Sequence, residues 1–388
     1  MSIDHAMQLF RDRVFTCLIG LLLLPLASHA ETRPVPQPPA VAANAYILQD
    51  FHTGKILASS NADERLEPAS LTKLMTAYLV FNEVKKGNIQ LSDPVVVSET
   101  AWRTGGSRMF IEPGKPVSVE ELLKGMIIQS GNDATVALAE HIAGTEAAFA
   151  ELMNHEAKRL GMNNSHFLNA SGLPDKEHYV SGTDLAILTR ALISNFPEYY
   201  AWYSEKEFTY NGITQKNRNE LLWRDDSVDG VKTGHTNSAG YCLITSANRD
   251  GMRLISVVLG TASPAARARE SQKLLSYGYR FFETRRLYQA NQTISRAKLW
   301  KGESDEIELG LQQDIFVTIP RGQNDALDAH IKIQDPIVAP ISRGTTLGSA
   351  VVTFGDDLVV EAPVVALNDY EEGNILQRLS DQVLMFFN

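Results

Sequence analysis

Residues 68–87 read PASLTKLMTAYLVFNEVKKG. Leu71, Leu74, Met75, Tyr78 and Leu79 recur at the helical period and Gly87 supplies a stop, which predicts a helix over 70–86. Pro68 and Ala69 lead into its N-terminus. Ser70 and Lys73 stand at i and i+3, so a hydroxyl and an amine share one face of the first turn. The helix N-terminus favours developing negative charge. A neutral lysine beside a serine can take its proton, and the serine becomes a nucleophile without any histidine. From a free pKa near 10.4, only about one lysine in 2,500 is neutral at pH 7, and lowering that pKa by three units costs roughly 4 kcal/mol. Burial and a second cation are therefore required around this helix.

Outward from it, 45–49 and 55–58 are short apolar runs around His52-Thr53-Gly54 and predict a hairpin. Ser118-Val119-Glu120-Glu121 is a capping box opening a second helix that runs into Gln129-Ser130-Gly131-Asn132. A third helix begins near Asp133 and ends at Gly144, and a fourth spans about 146–160 before Gly161. Strand signals return at 208–210 and 213–215 around Asn211-Gly212, and at 241–247 and 252–259 around Arg249-Asp250-Gly251. A long helix follows over 264–283. An early hairpin, a helical middle and late antiparallel strands predict one sheet built from both ends of this region, with helices covering it. From about 291 to 367 the runs HIKIQ, SAVVTF and LVVEAPVVAL carry no helical period and predict a small all-β domain. At 100° per residue, Ile375, Leu376, Leu379, Val383, Phe386 and Phe387 share one face of a short terminal helix. That helix either lies in a membrane interface or packs on the β domain. Residues 368–388 hold four acids and one base, so no polybasic attraction helps the first.

The chain has 388 residues, 44% hydrophobic and 21% charged, and a formal net charge of -10. These fractions exclude a collagen, a coiled coil and a disordered chain, and the length predicts two domains. The acidic balance argues against nucleic-acid binding, which needs a basic surface. Residues 1–30 read as a signal peptide: Arg11 and Arg13 precede the apolar run VFTCLIGLLLLPL, and Ser28-His29-Ala30 offers a small-residue cleavage site. The run is shorter than the roughly 20 residues that span a bilayer. An uncleaved anchor is the alternative, and the small-residue site favours cleavage. Residues 31–43 hold four prolines and predict an extended tether. Of two cysteines, Cys17 lies in the signal peptide and Cys242 in an apolar strand pattern, so the exported chain has no internal disulfide. The resulting division is 1–30, 31–43, a catalytic domain over 44–283, an all-β domain over 284–367, and the terminal segment 368–388.

The Ser70–Lys73 pair is weak by itself, because Ser295-Arg296-Ala297-Lys298 repeats the pattern with nothing to join it. Two further motifs change its weight. Ser130-Gly131-Asn132 falls at the junction of two helices, where a second hydroxyl can relay a proton to a leaving group and the Asn amide can hold a substrate carbonyl. Lys232-Thr233-Gly234 follows the predicted Asp229-Gly230 turn and opens a strand. There the lysine supplies the second cation, Thr233 a hydroxyl, and Gly234 room for substrate backbone. Each has a plain structural alternative, a helix break and a hairpin edge respectively.

S-x-x-K, S-x-N and K-T-G in this order resemble the signature of the penicillin-recognising serine peptidases and β-lactamases. The stretches PASLTKLMTAYLV, MIIQSGNDATVALAEHIAG, FTYNGITQKNRNELLW and VDGVKTGHTNSAGYCL are similar to the low-molecular-mass penicillin-binding proteins that act as serine D-alanyl-D-alanine carboxypeptidases. The likeness runs over about 43–388. It implies an α+β catalytic domain, with an antiparallel sheet flanked by helices plus a helical subdomain, then the small all-β domain and the amphipathic helix. It also implies roles. Ser70 is acylated and Lys73 is its base. Ser130 and Lys232 assist proton transfer, and Asn132 orients the substrate. Arg218 and Thr233 hold the terminal carboxylate, which suits the bidentate fork of Arg. Backbone N–H groups of Ser70 and His235 form the oxyanion hole, beside Gly234. The implied partners are peptidoglycan stem peptides ending in D-Ala-D-Ala, β-lactams, and the periplasmic face of the inner membrane, with no cofactor and no metal. The acidic terminal helix departs from the family's usual basic anchors. Arg103 and Arg108 fall where related loops vary.

Three alternatives stand beside this reading. A class A β-lactamase needs a glutamate in an E-x-x-x-N segment, and His166-Phe167-Leu168-Asn169 occupies the nearest similar stretch. A D,D-endopeptidase uses the same motifs but generally lacks the β domain. A penicillin-binding wall protein with little turnover would keep every motif. His155-Glu156 starts like a zinc motif, but Arg159 stands where its second His belongs.

Overall fold

The computed structural model describes residues 35–387, so the predicted signal peptide lies outside the described residues. The chain opens with β1 (Ala45–Asp50) and β2 (Ile56–Ser60), the predicted hairpin. A single 3-10 turn at Ala69–Thr72 leads into α1 (Lys73–Lys85). α2 (Val119–Ile128) begins on the predicted capping box: Glu121 N–H donates to Ser118 Oγ at 3.2 Å, and Ser118 N–H donates back to the Glu121 carboxylate at 3.1 Å. α3 (Asn132–Ala143) and α4 (Glu146–Leu160) follow as predicted. α5 (Gly182–Asn195), capped by Ser181, is a helix the sequence reading leaves unassigned. β3 (Glu207–Tyr210) and β4 (Ile213–Lys216) turn at Asn211-Gly212, both in the left-handed region that a two-residue hairpin loop requires. β5 (Val228–Thr236), β6 (Gly240–Arg249), β7 (Met252–Thr261) and α6 (Pro264–Phe281) complete this part.

Its sheet has the order β2-β1-β7-β6-β5, all antiparallel. β1 pairs with β7, Ala45 opposite Leu259, so both ends of the region do build one sheet. A Cβ on Gly278 of α6 would stand 2.5 Å from Leu254 and 3.1 Å from Leu48, whereas one on Gly182 of α5 would meet Ile47. Successive strand residues face opposite sides, so α5 and α6 cover opposite faces. α1 is not the one-sided amphipathic helix its periodicity suggests. Residues 73–81 are buried without a break, which marks a helix enclosed by its neighbours. Residues 36–42 have no regular structure, as a proline-rich stretch should. They are nevertheless bound along α6: Tyr277 Oη donates to Pro36 O at 2.9 Å, and Ala42 N–H donates to the Glu270 carboxylate at 3.3 Å.

The β-rich region begins at 282 rather than 291. Its strands are β8 (Phe282–Tyr288), β9 (Thr293–Trp300), β10 (Glu306–Gly310), β11 (Ile315–Pro320), β12 (Leu327–Ile333), β13 (Ile337–Val338), β14 (Thr346–Phe354) and β15 (Asp357–Ala366). β8 pairs with β11, and the rest form a sheet in the order β12-β14-β15-β10-β9-β13 over a core that includes Leu299, Ile307, Leu309 and Val364. The second Ser–Lys pair, Ser295 and Lys298, lies in β9, where i and i+3 point to opposite faces. The terminal helix α7 (Ile375–Phe387) is shorter than the predicted segment. Its apolar face is open: Leu376 is 79% exposed and Phe386 86%.

Candidate active site

Ser70 sits in the 3-10 turn and Lys73 is the first residue of α1, so the two side chains meet across one turn with Nζ 3.1 Å from Ser70 Oγ. Two glycines let walls close on this turn. A Cβ on Gly172, whose φ is +83°, would stand 1.8 Å from Ala69 O, and one on Gly234 would stand 3.0 Å from Pro68 O. The space at Gly234 thus admits the Ser70 turn against β5, where the sequence reading assigned it to substrate.

Lys73 is 1% exposed. It donates to Asn132 Oδ1 at 2.7 Å and to the Ser171 carbonyl at 2.6 Å. Both of these are obligate acceptors. A neutral amine that gives its two N–H groups to them keeps one lone pair for Ser70 Oγ. Burial first, and then the Arg218 charge, lower the Lys73 pKa to about 7, against the opposing pull of Glu146 and Asp133. The cation acting on Lys73 is thus Arg218 rather than the expected Lys232, which is buried on β5. Its Nζ donates to Ser130 Oγ at 3.0 Å and to Thr233 O at 3.1 Å. Burial, then Lys73, Arg218 and Arg267, hold its pKa well below the usual lysine range. β5 is longer than predicted. Asp229-Gly230 is no turn but a register irregularity inside the strand, so Lys232 lies mid-strand opposite Ile244.

Ser130 and Gly131 join α2 to α3. Ser130 has φ +67°, a left-handed conformation that a non-glycine residue holds only when its surroundings impose it. Just beyond it, the buried Asp133 accepts N–H groups from Met109, Phe110 and Ala134 on its carboxylate and ties the 104–111 loop to the start of α3. Asn132 is engaged at both ends, with Oδ1 on Lys73 and Nδ2 on Gly105 O at 2.6 Å. These two partners fix its amide orientation. Its contacts in this structure position Lys73, in addition to any hold on substrate.

Ser70, Ser130, Asn132, Arg218, Thr233, Gly234 and His235 all line one cleft of about 810 Å³. The Arg218 guanidinium pairs with no acid among the described residues, and burial lowers its pKa. His235 is exposed, with its ring stacked 3.9 Å from that of Tyr241. Three groups escaped the sequence reading. Arg267, on α6, is a second cation without an ion pair among the described residues; it donates to Gly234 O at 3.2 Å and lines the cleft. Asn169 Oδ1 accepts N–H groups from Ser171, Gly172 and Leu173, shaping the turn that presents Ser171 O to Lys73. His178 is buried behind Thr72. Leu168 N–H donates to its Nδ1 at 3.3 Å, so Nε2 carries the proton toward Thr72 Oγ1 at 2.9 Å, and burial lowers its pKa to about 4. Only Gly172, in N-A-S-G, hinted at this turn. Glu156, from the near-zinc motif, is taken up by Arg159, with Nε 2.9 Å from Oε2.

A central helix on an antiparallel sheet, with S-x-x-K, S-x-N and K-T-G meeting in one cleft, defines a serine hydrolase of the peptidase type. The β-rich region matches the model described as Penicillin-binding protein 5, C-terminal domain, over residues 282–372. The chain belongs to the D-alanyl-D-alanine carboxypeptidase family, whose model matches residues 32–263. It is 44% identical to D-alanyl-D-alanine carboxypeptidase DacC of Escherichia coli (strain K12), over 95% of this chain and 93% of that protein. To D-alanyl-D-alanine carboxypeptidase DacA of the same organism it is 41% identical, over 93% of each. Penicillin binding protein 5 from Haemophilus influenzae superposes with a TM-score of 0.79 at 41% identity, over 87% of this chain and all of that one. Penicillin-Binding Protein D2 from Listeria monocytogenes, solved in an ampicillin-bound form, superposes with a TM-score of 0.59 at 33% identity, over 63% of this chain and all of that one.

Proposed function

We propose that the protein is a serine D,D-carboxypeptidase that removes the terminal D-alanine from peptidoglycan pentapeptide stems and binds penicillin covalently. The observation that carries this reading is the coordination of Lys73, whose Nζ stands 2.7 Å from Asn132 Oδ1, 2.6 Å from Ser171 O and 3.1 Å from Ser70 Oγ, so that a neutral amine giving its two N–H groups to the first two keeps its lone pair for Ser70. Ser70 Oγ attacks the D-Ala–D-Ala peptide carbonyl as Lys73 takes its proton. The N–H groups of Ser70 and His235 hold the oxyanion. Ser130, on Lys232, passes a proton to the departing amine and regains one from the Lys73 ammonium, and D-alanine leaves. Water then takes the acyl group from Ser70 and restores the hydroxyl. Arg218 and Thr233 receive the substrate's terminal carboxylate, and β5, an edge strand, offers its free side to the peptide. Benzylpenicillin should label Ser70, identified by mass spectrometry of the digested adduct. An adduct on any other residue, or one formed by Ser70→Ala, overturns the assignment.

The same reading places the protein outside the cytoplasmic membrane, exported by residues 1–30. α7 then rests its open apolar face on the bilayer surface, too short to cross it. Deleting residues 374–388 should abolish co-sedimentation with liposomes. Unchanged partition would show that the helix has another role. A D,D-endopeptidase or a protein with little turnover would share the acylation step and differ in the product released.

A further inference from the structure

Glu146 is the first residue of α4, where an acid ordinarily does no more than complement the helix dipole. Here its Oε1 reaches outside the helix and accepts the Ala170 N–H at 2.9 Å. Ala170 and Ser171 form a short bent strap beside α1. Thr76 Oγ1 donates to Ala170 O at 2.7 Å, and Ser171 O is one of the two carbonyl oxygens that hold Lys73 Nζ. The strap is thus fastened at Ala170 N by Glu146, at Ala170 O by α1, and beyond Ser171 by Asn169. Of these fastenings Glu146 alone carries a charge, and that charge acts on Lys73.

We propose that Glu146 is a positioning residue of the acylation step, holding the Ala170–Ser171 strap so that the Ser171 carbonyl keeps the Lys73 amine aimed at Ser70. This rests on the proposed function, since it presumes that Lys73 is the base. The charges acting on Lys73 are that of Arg218, which favours its neutral form, and those of Glu146 and Asp133, which favour its ammonium. The carboxylate of Glu146 therefore has two separable effects. As an acceptor it orders the strap, and as an anion it opposes the loss of the Lys73 proton.

Two variants separate them. Glu146→Gln keeps an oxygen for Ala170 N–H and removes the charge. Glu146→Ala removes both. The assay is the second-order rate of covalent labelling by a fluorescent penicillin, followed from pH 5 to 9 on the mature chain, with thermal unfolding measured beside it. For Glu146→Gln the plateau rate should stay near that of the wild type while the acid limb moves to lower pH. For Glu146→Ala the plateau rate should fall by about tenfold, the loss of one charge-assisted hydrogen bond. Wild-type midpoint and plateau in both variants overturn the proposal, as does a change confined to melting temperature, which marks a purely structural acid. A wild-type protein that takes no label overturns the proposed function itself, whatever the variants do.

Discussion

Acidification from pH 7 to pH 5 should slow acylation of Ser70 about fifty-fold. Lys73 is fully buried, feels the Arg218 charge, and has its pKa lowered from 10.5 to about 7. Half of it is then neutral at pH 7 and about one part in a hundred at pH 5. Lowering it that far corresponds to about 5 kcal/mol of differential stabilisation. Its sign for folding is adverse. Between about pH 7 and 10.5 the unfolded chain binds a proton that the folded chain does not. The Lys73 contribution to stability therefore rises as pH climbs through that window and is at its lowest at and below pH 7. The site is thus built at a cost to the fold, as expected where function opposes stability. The assay is the rate of adduct formation with a fluorescent penicillin at subsaturating concentration, stopped at set times from pH 4.5 to 9. A limb rising tenfold per unit and bending to a plateau near pH 7 is the expected profile. A rate still climbing tenfold per unit between pH 8 and 9 would mean an ordinary lysine, and a rate flat down to pH 5 would mean that Lys73 is not the base.

Two further outcomes follow from the packing around the pair. Gly172→Ala puts a Cβ 1.8 Å from Ala69 O at a φ of +83°, and should lower stability by on the order of 3 kcal/mol in urea unfolding while displacing the Ser70 turn and slowing acylation. Native stability with wild-type labelling would show that the two walls do not meet as described. His178, neutral with a pKa of about 4 in the folded protein and 6.5 unfolded, stabilises fully above pH 6.5 and loses about 3 kcal/mol as pH falls to 4, because only the unfolded chain takes up the proton in that range. A His178→Asn variant, which cannot ionise, should lack that part of the pH dependence; equal slopes in the two proteins would contradict the buried neutral imidazole.

Most of the fold was legible because local signals agreed with the tertiary outcome. The capping box at Ser118, the glycine stops at 144 and 161 and the Asn211-Gly212 hairpin all act over a few residues. β5 was misread at its start, because Asp229-Gly230 is a strong turn signal in isolation and here is absorbed as an irregularity opposite β6. The groups that meet in the cleft were legible from motif order. The groups that tune them were not. Arg267 is one cation among several in an exposed-looking helix, and it reaches the cleft only because α6 covers the sheet behind β5. Ser171 acts through its carbonyl, which every residue has, so no side chain announces it. Asn132 was assigned to substrate from its chemistry, yet both ends of its amide are taken by Lys73 and Gly105, a fact that depends on how the 104–111 loop folds back.

The central claim, that Ser70 turns over D-Ala–D-Ala peptides, is tested most directly by D-alanine release from a peptide ending in Lys-D-Ala-D-Ala, using the chain from residue 31 with Ser70→Ala alongside. Release by the wild type and none by the variant is the expected result. Release by both would remove Ser70 from the chemistry, and release by neither, from a protein that still takes penicillin, would contradict the carboxypeptidase and favour an acylating protein without turnover.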